Sequence, residues 1–116
     1  MTDANTEDHN AELDLGKYRQ LFLDEAYGFL ALLRRNLTHL LDAPGDKRAK
    51  SEARRAAHTL KGMAATMHYE ELSALAKSME TQLQQEGHLE PGQIEDLLAG
   101  CDQYEVGLEH EPGVQG

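Results

Sequence analysis

Apolar residues recur every three or four positions along four stretches of the chain, a spacing that places their side chains on one face of an α-helix. The first stretch begins after Asp14, a candidate N-cap, and ends where Pro44 and Gly45 interrupt the helical pattern. Its expected inward positions are Leu15, Tyr18, Phe22, Ala26, Phe29, Leu33, Leu37 and Leu40.

The other three stretches are shorter and are bounded by residues that begin or end helices. Asp46 is placed to cap the second helix, which runs to about Met67, and residues 68–69 form a short break. Gly87 ends the third helix, and Pro91 suits the first turn of the fourth. The expected inward positions are Ala53, Ala57, Leu60, Ala64 and Met67, then Leu72, Leu75, Ala76, Met79 and Leu83, then Ile94, Leu97, Leu98, Cys101 and Leu108.

The composition supports an all-α fold, because leucine, alanine, glutamate and glutamine dominate and these residues favour helices. Each stripe alone would leave an apolar face in water. Four stripes with short connections therefore predict an antiparallel, up-down four-helix bundle over residues 14–108, with room for a short extra C-terminal turn. Residues 1–13 are expected to form a disordered N-terminal arm, and residues 109–116 a linker or frayed tail.

Charge and hydropathy exclude several classes of function. The formal net charge of −10 disfavours binding to nucleic acid, whose phosphates repel an acidic surface. No apolar run approaches the roughly 20 residues that a membrane span requires. The acidic start lacks the layout of a signal peptide. We expect a cytoplasmic protein that can also be located at membrane-receptor complexes. Its lone Cys101 is expected to pack in the core and to form no internal disulfide.

Positive charge is concentrated in one span of the second helix. Residues 47–61 contain six basic side chains and one acidic side chain, so the span carries +5 and the rest of the chain −15. Such a strip is usually a solvated helix face, although it can also steer an acidic partner towards the helix. The basic residues are Lys47, Arg48, Lys50, Arg54, Arg55 and Lys61.

His58 lies in this basic span and is predicted to face solvent. It precedes the inward Leu60 by two positions, roughly 200° around a helix at about 100° per residue. Lys61 and Gly62 follow three and four positions later and share its outer face. Glycine within a helix costs about 1 kcal/mol relative to alanine. A bare surface for close approach would justify that cost, and the lysine would supply positive charge for a phosphoryl group.

Imidazole is a nucleophile near neutral pH, and the reactivity of one ring nitrogen depends on what the other nitrogen binds. A carboxylate that accepts a hydrogen bond from the first nitrogen would fix the tautomer and leave the second nitrogen's lone pair free. The sequence offers three glutamates on the third helix for this role, and the helical pattern does not choose among them: Glu70, Glu71 and Glu80.

The segment AAHTLKGMAATMHYEELSALAKSMETQL, residues 56–83, closely resembles the phosphotransfer domain at the front of chemotaxis histidine kinases of the CheA type. Residues 18–26 resemble that family's opening helix. The resemblance implies that His58 is phosphorylated on its outer nitrogen, that Glu80 binds the other nitrogen and that Lys61 gives electrostatic support. We expect Gly62 to allow close approach, and partners to contact Arg54, Arg55, Thr59 and Ala65. Where this chain has Lys77, Ala65 and His68, the family often has histidine, glycine and glycine.

The function implied is that of a histidine phosphotransfer domain. It would accept a phosphoryl group from the ATP-binding domain of a histidine kinase and pass it to an aspartate of a response-regulator receiver domain. ATP and magnesium would be bound by those partner domains and no cofactor or metal by this one. The chain has no phosphate-binding loop, so we expect no enzyme activity on its own. It would be either a monomeric relay or the leading piece of a longer kinase. The first helix and the tail favour the longer kinase.

Two other classes of function fit this sequence less well. Di-metal bundles use Glu-x-x-His pairs, but none of the six histidines follows a glutamate at that spacing. A non-catalytic adaptor bundle, with an inert His58, would expose an apolar stripe for its partner. The stripes predicted here are all required by one core.

Overall fold

The computed structural model describes the backbone of residues 2–110 and the side chains of residues 16–110. Four helices and no strand lie within this part of the chain: α1 (Thr2–Asp42), α2 (Lys47–Thr66), α3 (Glu70–Leu83) and α4 (Pro91–His110). Consecutive helices pack side by side, and α4 returns to pack against α1. The chain thus forms an antiparallel up-down bundle, which confirms the predicted fold class.

One apolar core fills the space between the helices. Its α1 stripe differs from the prediction, because Leu30 is fully buried where the half-buried Phe29 was expected, and Tyr18 is 66% exposed. Consecutive apolar residues such as Phe29 and Leu30 fit a helical stripe equally well, so the neighbouring helices decide which of them turns inward. The largest fully buried side chains are Tyr104, Leu30, Leu33, Leu37, Leu40, Leu60, Met79, Leu83, Ile94, Leu97, Leu108 and Cys101.

The start of α1 corrects the sequence-based assignment. The helix begins at Thr2, so Asp14 is not its N-cap, and the backbone of residues 2–13 is helical where a disordered arm was expected. Residues 2–15 contain neither proline nor glycine, so this stretch has none of the residues that most disfavour a helix. That the four-helix bundle domain begins only at residue 14 stays a prediction.

The junction before α2 confirms the predicted cap. Oδ1 of Asp46 accepts hydrogen bonds from the backbone N–H groups of Arg48, at 3.0 Å, and Ala49, at 3.1 Å. Oδ2 of the same side chain lies 2.8 Å from Nε2 of His39 in the last turn of α1. These contacts satisfy N–H groups that a helix start leaves unpaired, and they fix the exit of α1 relative to the entry of α2.

The end of α2 is a Schellman motif built on a histidine. The backbone N–H of His68 donates to the carbonyl of Ala65, and that of Tyr69 to the carbonyl of Ala64. His68 has a φ of +63° and is exposed, as expected of a residue in a loop. This left-handed position usually carries glycine, because a Cβ is disfavoured there.

Glycines on α4 allow close contact with α3. A Cβ on Gly107 would lie 2.3 Å from Cδ2 of Leu72, and one on Gly100 would lie 2.9 Å from Sδ of Met79. α4 ends at His110, two residues beyond the predicted boundary, and the tail predicted for residues 111–116 lies outside the described residues. No helix in the described part of the chain is long and apolar enough to cross a membrane.

Candidate functional site

His58 projects from the outer face of α2, as the sequence predicted. Its neighbours Ala57 and Leu60 point into the core and are completely buried, which turns the imidazole away from the bundle. The His58 side chain remains 62% exposed. A group on the ring can therefore be reached from solvent, although the backbone that carries it is anchored by core packing.

Glu80 is a buried acid at the centre of this site. It is only 6% exposed, and each of its two carboxylate oxygens has its own partner on α2. Oε2 lies 2.6 Å from Nδ1 of His58, and Oε1 lies 2.8 Å from Nζ of Lys61. The two remaining candidates, Glu70 and Glu71, are exposed in the first turn of α3. Glu80 is therefore the acid that the structure brings to His58.

The contacts at Glu80 determine its charge and the orientation of the imidazole. The hydrogen bond from the Lys61 ammonium, assisted by the contact with His58, holds the pKa of Glu80 below its usual value although burial opposes this. The group is thus a carboxylate near neutral pH. An ionised carboxylate only accepts hydrogen bonds, so Nδ1 of His58 carries the proton and donates it. In the neutral ring the lone pair then lies on Nε2, for which residues 16–110 provide no hydrogen-bond partner.

Lys61 lies one turn after His58 on α2 and binds the same carboxylate. Its ammonium contacts Glu80 at 2.8 Å and its side chain is 29% exposed, and its support of a phosphoryl group stays a prediction. It therefore neutralises the buried acid and remains close to the surface beside His58. Residues on two different helices make this contact, and the sequence pattern did not reveal it.

Gly62 leaves an open surface one turn after His58. Apart from its two chain neighbours and the nearby backbone of α2, no described heavy atom lies within 4 Å of the position that a Cβ on Gly62 would take, and the residue is exposed. Thr66 bridges over this turn, since its Oγ1 donates to the Gly62 carbonyl at 3.0 Å. The bundle itself does not require a glycine here, which fits the prediction that an approaching partner does.

The four predicted docking residues lie on different sides of His58. Arg55 and Thr59 line a groove of about 590 Å³ between α1 and α2. Arg54 instead faces a cleft beside the C-terminal end of α3. Ala65 is exposed two turns after His58. These residues therefore surround His58 on more than one side, and their role in docking stays a prediction.

Several basic side chains of this α2 span have partners within the domain itself. Lys50 donates to the backbone carbonyls of Gln85 and Gly87 beyond the end of α3, and Arg48 pairs with Glu52 at 3.2 Å. With Lys61 on Glu80, half of the six basic side chains have partners within the bundle. The other basic residues of span 47–61 have no side-chain hydrogen bond or ion pair with residues 16–110 and can contact a partner: Lys47, Arg54 and Arg55.

One further prediction concerns a residue near the site. Lys77, where the family often has histidine, is exposed and makes no hydrogen bond with its side chain to another described residue. It lies outside the network of His58, Lys61 and Glu80.

Within the part of the chain whose side chains are described, no group of three or more histidine, cysteine or acidic residues could hold a metal ion.

Two hydroxyl groups that the sequence analysis did not single out contact α2 near this site. The buried Tyr104 hydroxyl donates to the Leu60 carbonyl at 2.9 Å, and Ser73 Oγ donates to the Lys61 carbonyl at 3.3 Å. The only signal in the sequence was the position of Tyr104, three residues after Cys101, which continues the apolar stripe of α4.

The family model of the Hpt (histidine phosphotransfer) domain matches residues 17–107. This match agrees with a helical bundle in which a buried glutamate holds a solvent-facing histidine. The chain therefore belongs to the Hpt domain family. Its fold is similar to that of the CheA phosphotransferase domain from Thermotoga maritima, with a TM-score of 0.76 and 31% identity. That similarity covers 80% of this chain and 92% of the other.

The relatives in sequence are chemotaxis proteins. The chain is 38% identical over 71 residues to the chemotaxis protein CheA of Bacillus subtilis and 41% identical over 63 residues to that of Listeria monocytogenes. These segments are 61% and 54% of this chain. They span only 11% and 10% of the two relatives. The similarities agree with histidine phosphotransfer in chemotaxis signalling.

Proposed function

We propose that His58 carries a phosphoryl group from the ATP-binding domain of a histidine kinase to an aspartate of a response-regulator receiver domain. The observation that supports this most directly is the pairing of an exposed imidazole with a buried carboxylate at 2.6 Å. This arrangement presents the Nε2 lone pair to solvent and prevents the ring from turning. A nucleophile that must serve two partners in succession needs both properties.

In the loading step, Nε2 of His58 attacks the γ-phosphorus of ATP held by the kinase domain. The N–P bond forms as the bond from phosphorus to the ADP oxygen breaks, and ADP leaves. The ring becomes positively charged while Nδ1 keeps its proton, so the Glu80 carboxylate stabilises it through the contact seen in the structure. Nucleotide and magnesium are supplied by the partner domain.

In the unloading step, an aspartate oxygen of the receiver attacks the same phosphorus atom. The N–P bond breaks, an acyl phosphate forms on the receiver, and the electron pair returns to Nε2. His58 is thereby restored with its proton still on Nδ1. The domain contributes a positioned acceptor, and it acts as a relay that depends on catalysis by its two partners.

Lys61 and the open turn at Gly62 have supporting roles in this proposal. Lys61 keeps Glu80 ionised and remains partly exposed beside the ring, where its charge favours the incoming phosphoryl oxygens. Gly62 lets the partner approach without meeting a side chain. Arg54, Arg55, Thr59 and Ala65 would contact the partner around His58, and the free arginines would attract an acidic receiver surface.

One observation favours the alternative function of an adaptor. Tyr18 and Leu21 are 66% and 55% exposed, and they line a groove with Met63 and Met67. An exposed apolar surface of this kind can bind a partner. This groove does not include His58, so an adaptor would work equally well without the imidazole.

A two-stage transfer assay tests the proposal. The chain is first loaded with a chemotaxis kinase catalytic domain and ATP, then separated from both and mixed with a receiver protein and magnesium. The proposal expects phosphate to leave the chain as it appears on the receiver aspartate. A receiver variant with alanine at that aspartate is the matched control, and loss of phosphate at the same rate with this control would contradict direct transfer. Absence of loading by several competent kinases would favour the adaptor function.

A further inference from the structure

The inner face of α2 is built almost entirely from alanine. Its buried residues are Leu60 and five alanines, and the partly buried Met63 packs at the edge of the same core, so few large side chains of α2 interlock with the neighbouring helices. Helices keep their register because side chains of one fit into grooves of the next, and short side chains make shallow ridges. Packing therefore resists small shifts of α2 along or around its axis only weakly. The alanines are Ala49, Ala53, Ala56, Ala57 and Ala64.

Two hydrogen bonds from other helices reach the main chain of α2 shortly after His58. The Tyr104 hydroxyl reaches from α4 to the carbonyl of Leu60, and the Ser73 hydroxyl reaches from α3 to the carbonyl of Lys61. They come from two different helices and bind adjacent peptide groups. Hydrogen bonds are sensitive to both distance and angle, so together they restrain sliding and rotation of this turn.

The Tyr104 contact is an unusual feature of the core. Tyr104 is completely buried, and a phenylalanine would fill the same space without a hydroxyl that must find a partner. Burial raises the pKa of Tyr104, so the hydroxyl stays protonated and remains a donor at physiological pH. The hydroxyl can therefore donate from the core of α4 to the main chain of α2 throughout the physiological pH range.

The same turn carries both α2 side chains that bind Glu80. His58 and Lys61 lie on either side of Leu60 and contact Glu80 at 2.6 Å and 2.8 Å. Glu80 is on α3, so these contacts depend on the register of α2 against α3. A shift of α2 relative to α3 would change the length or angle of both hydrogen bonds and so weaken the hold on the imidazole.

We propose that Tyr104 and Ser73 are positioning residues of the phosphotransfer site, which hold the Leu60–Lys61 main chain so that His58 and Lys61 meet Glu80. This inference rests on the proposed function of His58 and extends it to two residues that do not touch the ring. Neither hydroxyl takes part in bond making or breaking. Their effect is to keep Nδ1 on the carboxylate and Nε2 directed outward.

The test compares Tyr104→Phe and Ser73→Ala with matched controls that remove an exposed hydroxyl. Tyr27→Phe changes a tyrosine that is 38% exposed, and Ser78→Ala changes an exposed serine on α3. The ring nitrogens of His58 are observed by 15N NMR, and kcat and KM are measured for loading by the kinase domain. The NMR measurement needs no phosphorylation, so it remains informative if the proposed function is wrong.

We expect both variants to populate the tautomer with the proton on Nε2, which is absent in wild type and in the controls. The kcat for loading should fall by roughly 3- to 10-fold, with KM changed by less than about twofold. This loss is smaller than the roughly 100-fold loss of rate that a 1 Å misplacement of reacting groups can cause. Unchanged ring signals and kcat in folded variants, even with a lower Tm, would overturn the inference. If Tyr104→Phe does not fold, Ser73→Ala decides by the same measurements.

A double-variant comparison asks whether the hydroxyls act through Glu80. In a Glu80→Ala background the acceptor for Nδ1 of His58 is already lost, so adding Tyr104→Phe should lower kcat by less than about twofold further. A full additional loss equal to that in the wild-type background would contradict the inference, because it would show that Tyr104 acts by another route.

Discussion

The carboxylate of Glu80 lies across the α2–α3 interface from His58, with Oε2 2.6 Å from Nδ1. Glu80 is 6% exposed and the His58 side chain 62% exposed, so the pair joins a buried anion to a solvent-facing nucleophile. Burial keeps water from competing for the carboxylate, which strengthens its hold on the ring. The exposed Nε2 remains available to partners.

Replacement of Glu80 by alanine should slow loading of His58 without unfolding the bundle. Without the carboxylate, the ring can turn and exchange tautomers. Carboxylates that orient metal-bound histidines typically contribute about 10- to 100-fold to function, and we expect a loss of rate on that scale. The measurement is the initial rate of phosphorylation by a kinase domain, with circular dichroism to verify folding. Glu71→Ala, which changes an exposed acid on the same helix, is the control, and an unchanged rate for Glu80→Ala would mean that another group orients the ring.

The contribution of Glu80 to stability should depend on pH. Its pKa in the folded protein is lowered from the ordinary value of 4.5, chiefly by the hydrogen bond from Lys61. A lowered folded-state pKa stabilises the protein above the unfolded-state value, and this stabilisation disappears as the pH falls through the folded-state pKa. The free energy of unfolding should therefore be higher for wild type than for Glu80→Gln near neutral pH, with a difference that shrinks below about pH 4.5. Urea unfolding at several pH values measures it, and a difference that is constant with pH would contradict the assignment.

His68→Gly should stabilise the protein. His68 occupies the left-handed position of a Schellman motif, with a φ of +63°, and a non-glycine residue in that region costs about 1–2 kcal/mol. Greater freedom of glycine in the unfolded chain offsets part of this, so we expect a net gain of about 0.5–1 kcal/mol. Denaturant unfolding gives the value. His68→Ala, which removes the imidazole but keeps a Cβ, is the control, and a glycine variant no more stable than the alanine variant would argue against backbone strain.

Gly107→Ala should destabilise the contact between α3 and α4. The added Cβ would lie 2.3 Å from Cδ2 of Leu72, so a side chain or helix must move. Overpacking of this kind typically costs about 1–3 kcal/mol. Gly92→Ala is a matched control on the same helix, because nothing lies within 4 Å of its Cβ position, and its better helix propensity should leave stability equal or higher. Equal unfolding free energies for the two variants would show that α4 yields without cost.

The sequence predicted those features that depend on neighbours along the chain. The Asp46 cap and the Pro91 start are local, since each acts on the first turn of its own helix. The outward direction of His58 followed from its distance to Leu60 along one helix. The sequence did not determine which of two adjacent apolar residues faces the core. Leu30 is buried rather than Phe29, because packing against the neighbouring helices sets the inward direction of α1.

Contacts between helices could not be derived from the pattern. Glu80 was equivalent to Glu70 and Glu71 until the family resemblance distinguished it, because the relative register of α2 and α3 is not encoded in either helix alone. The Lys61–Glu80 pair joins residues 19 positions apart and was missed for the same reason. Tyr104 was missed because a tyrosine can lie in a core or at a surface, and only the acceptor at Leu60 explains its complete burial.

The most direct test of the central claim is phosphorylation of wild type and of His58→Gln by a chemotaxis kinase catalytic domain with ATP, followed by intact mass. We predict one added phosphate on wild type that is lost in acid, as a phosphorus–nitrogen bond should be, and none on His58→Gln. Phosphate that persists on His58→Gln would contradict the assignment of His58 as the phosphoryl acceptor.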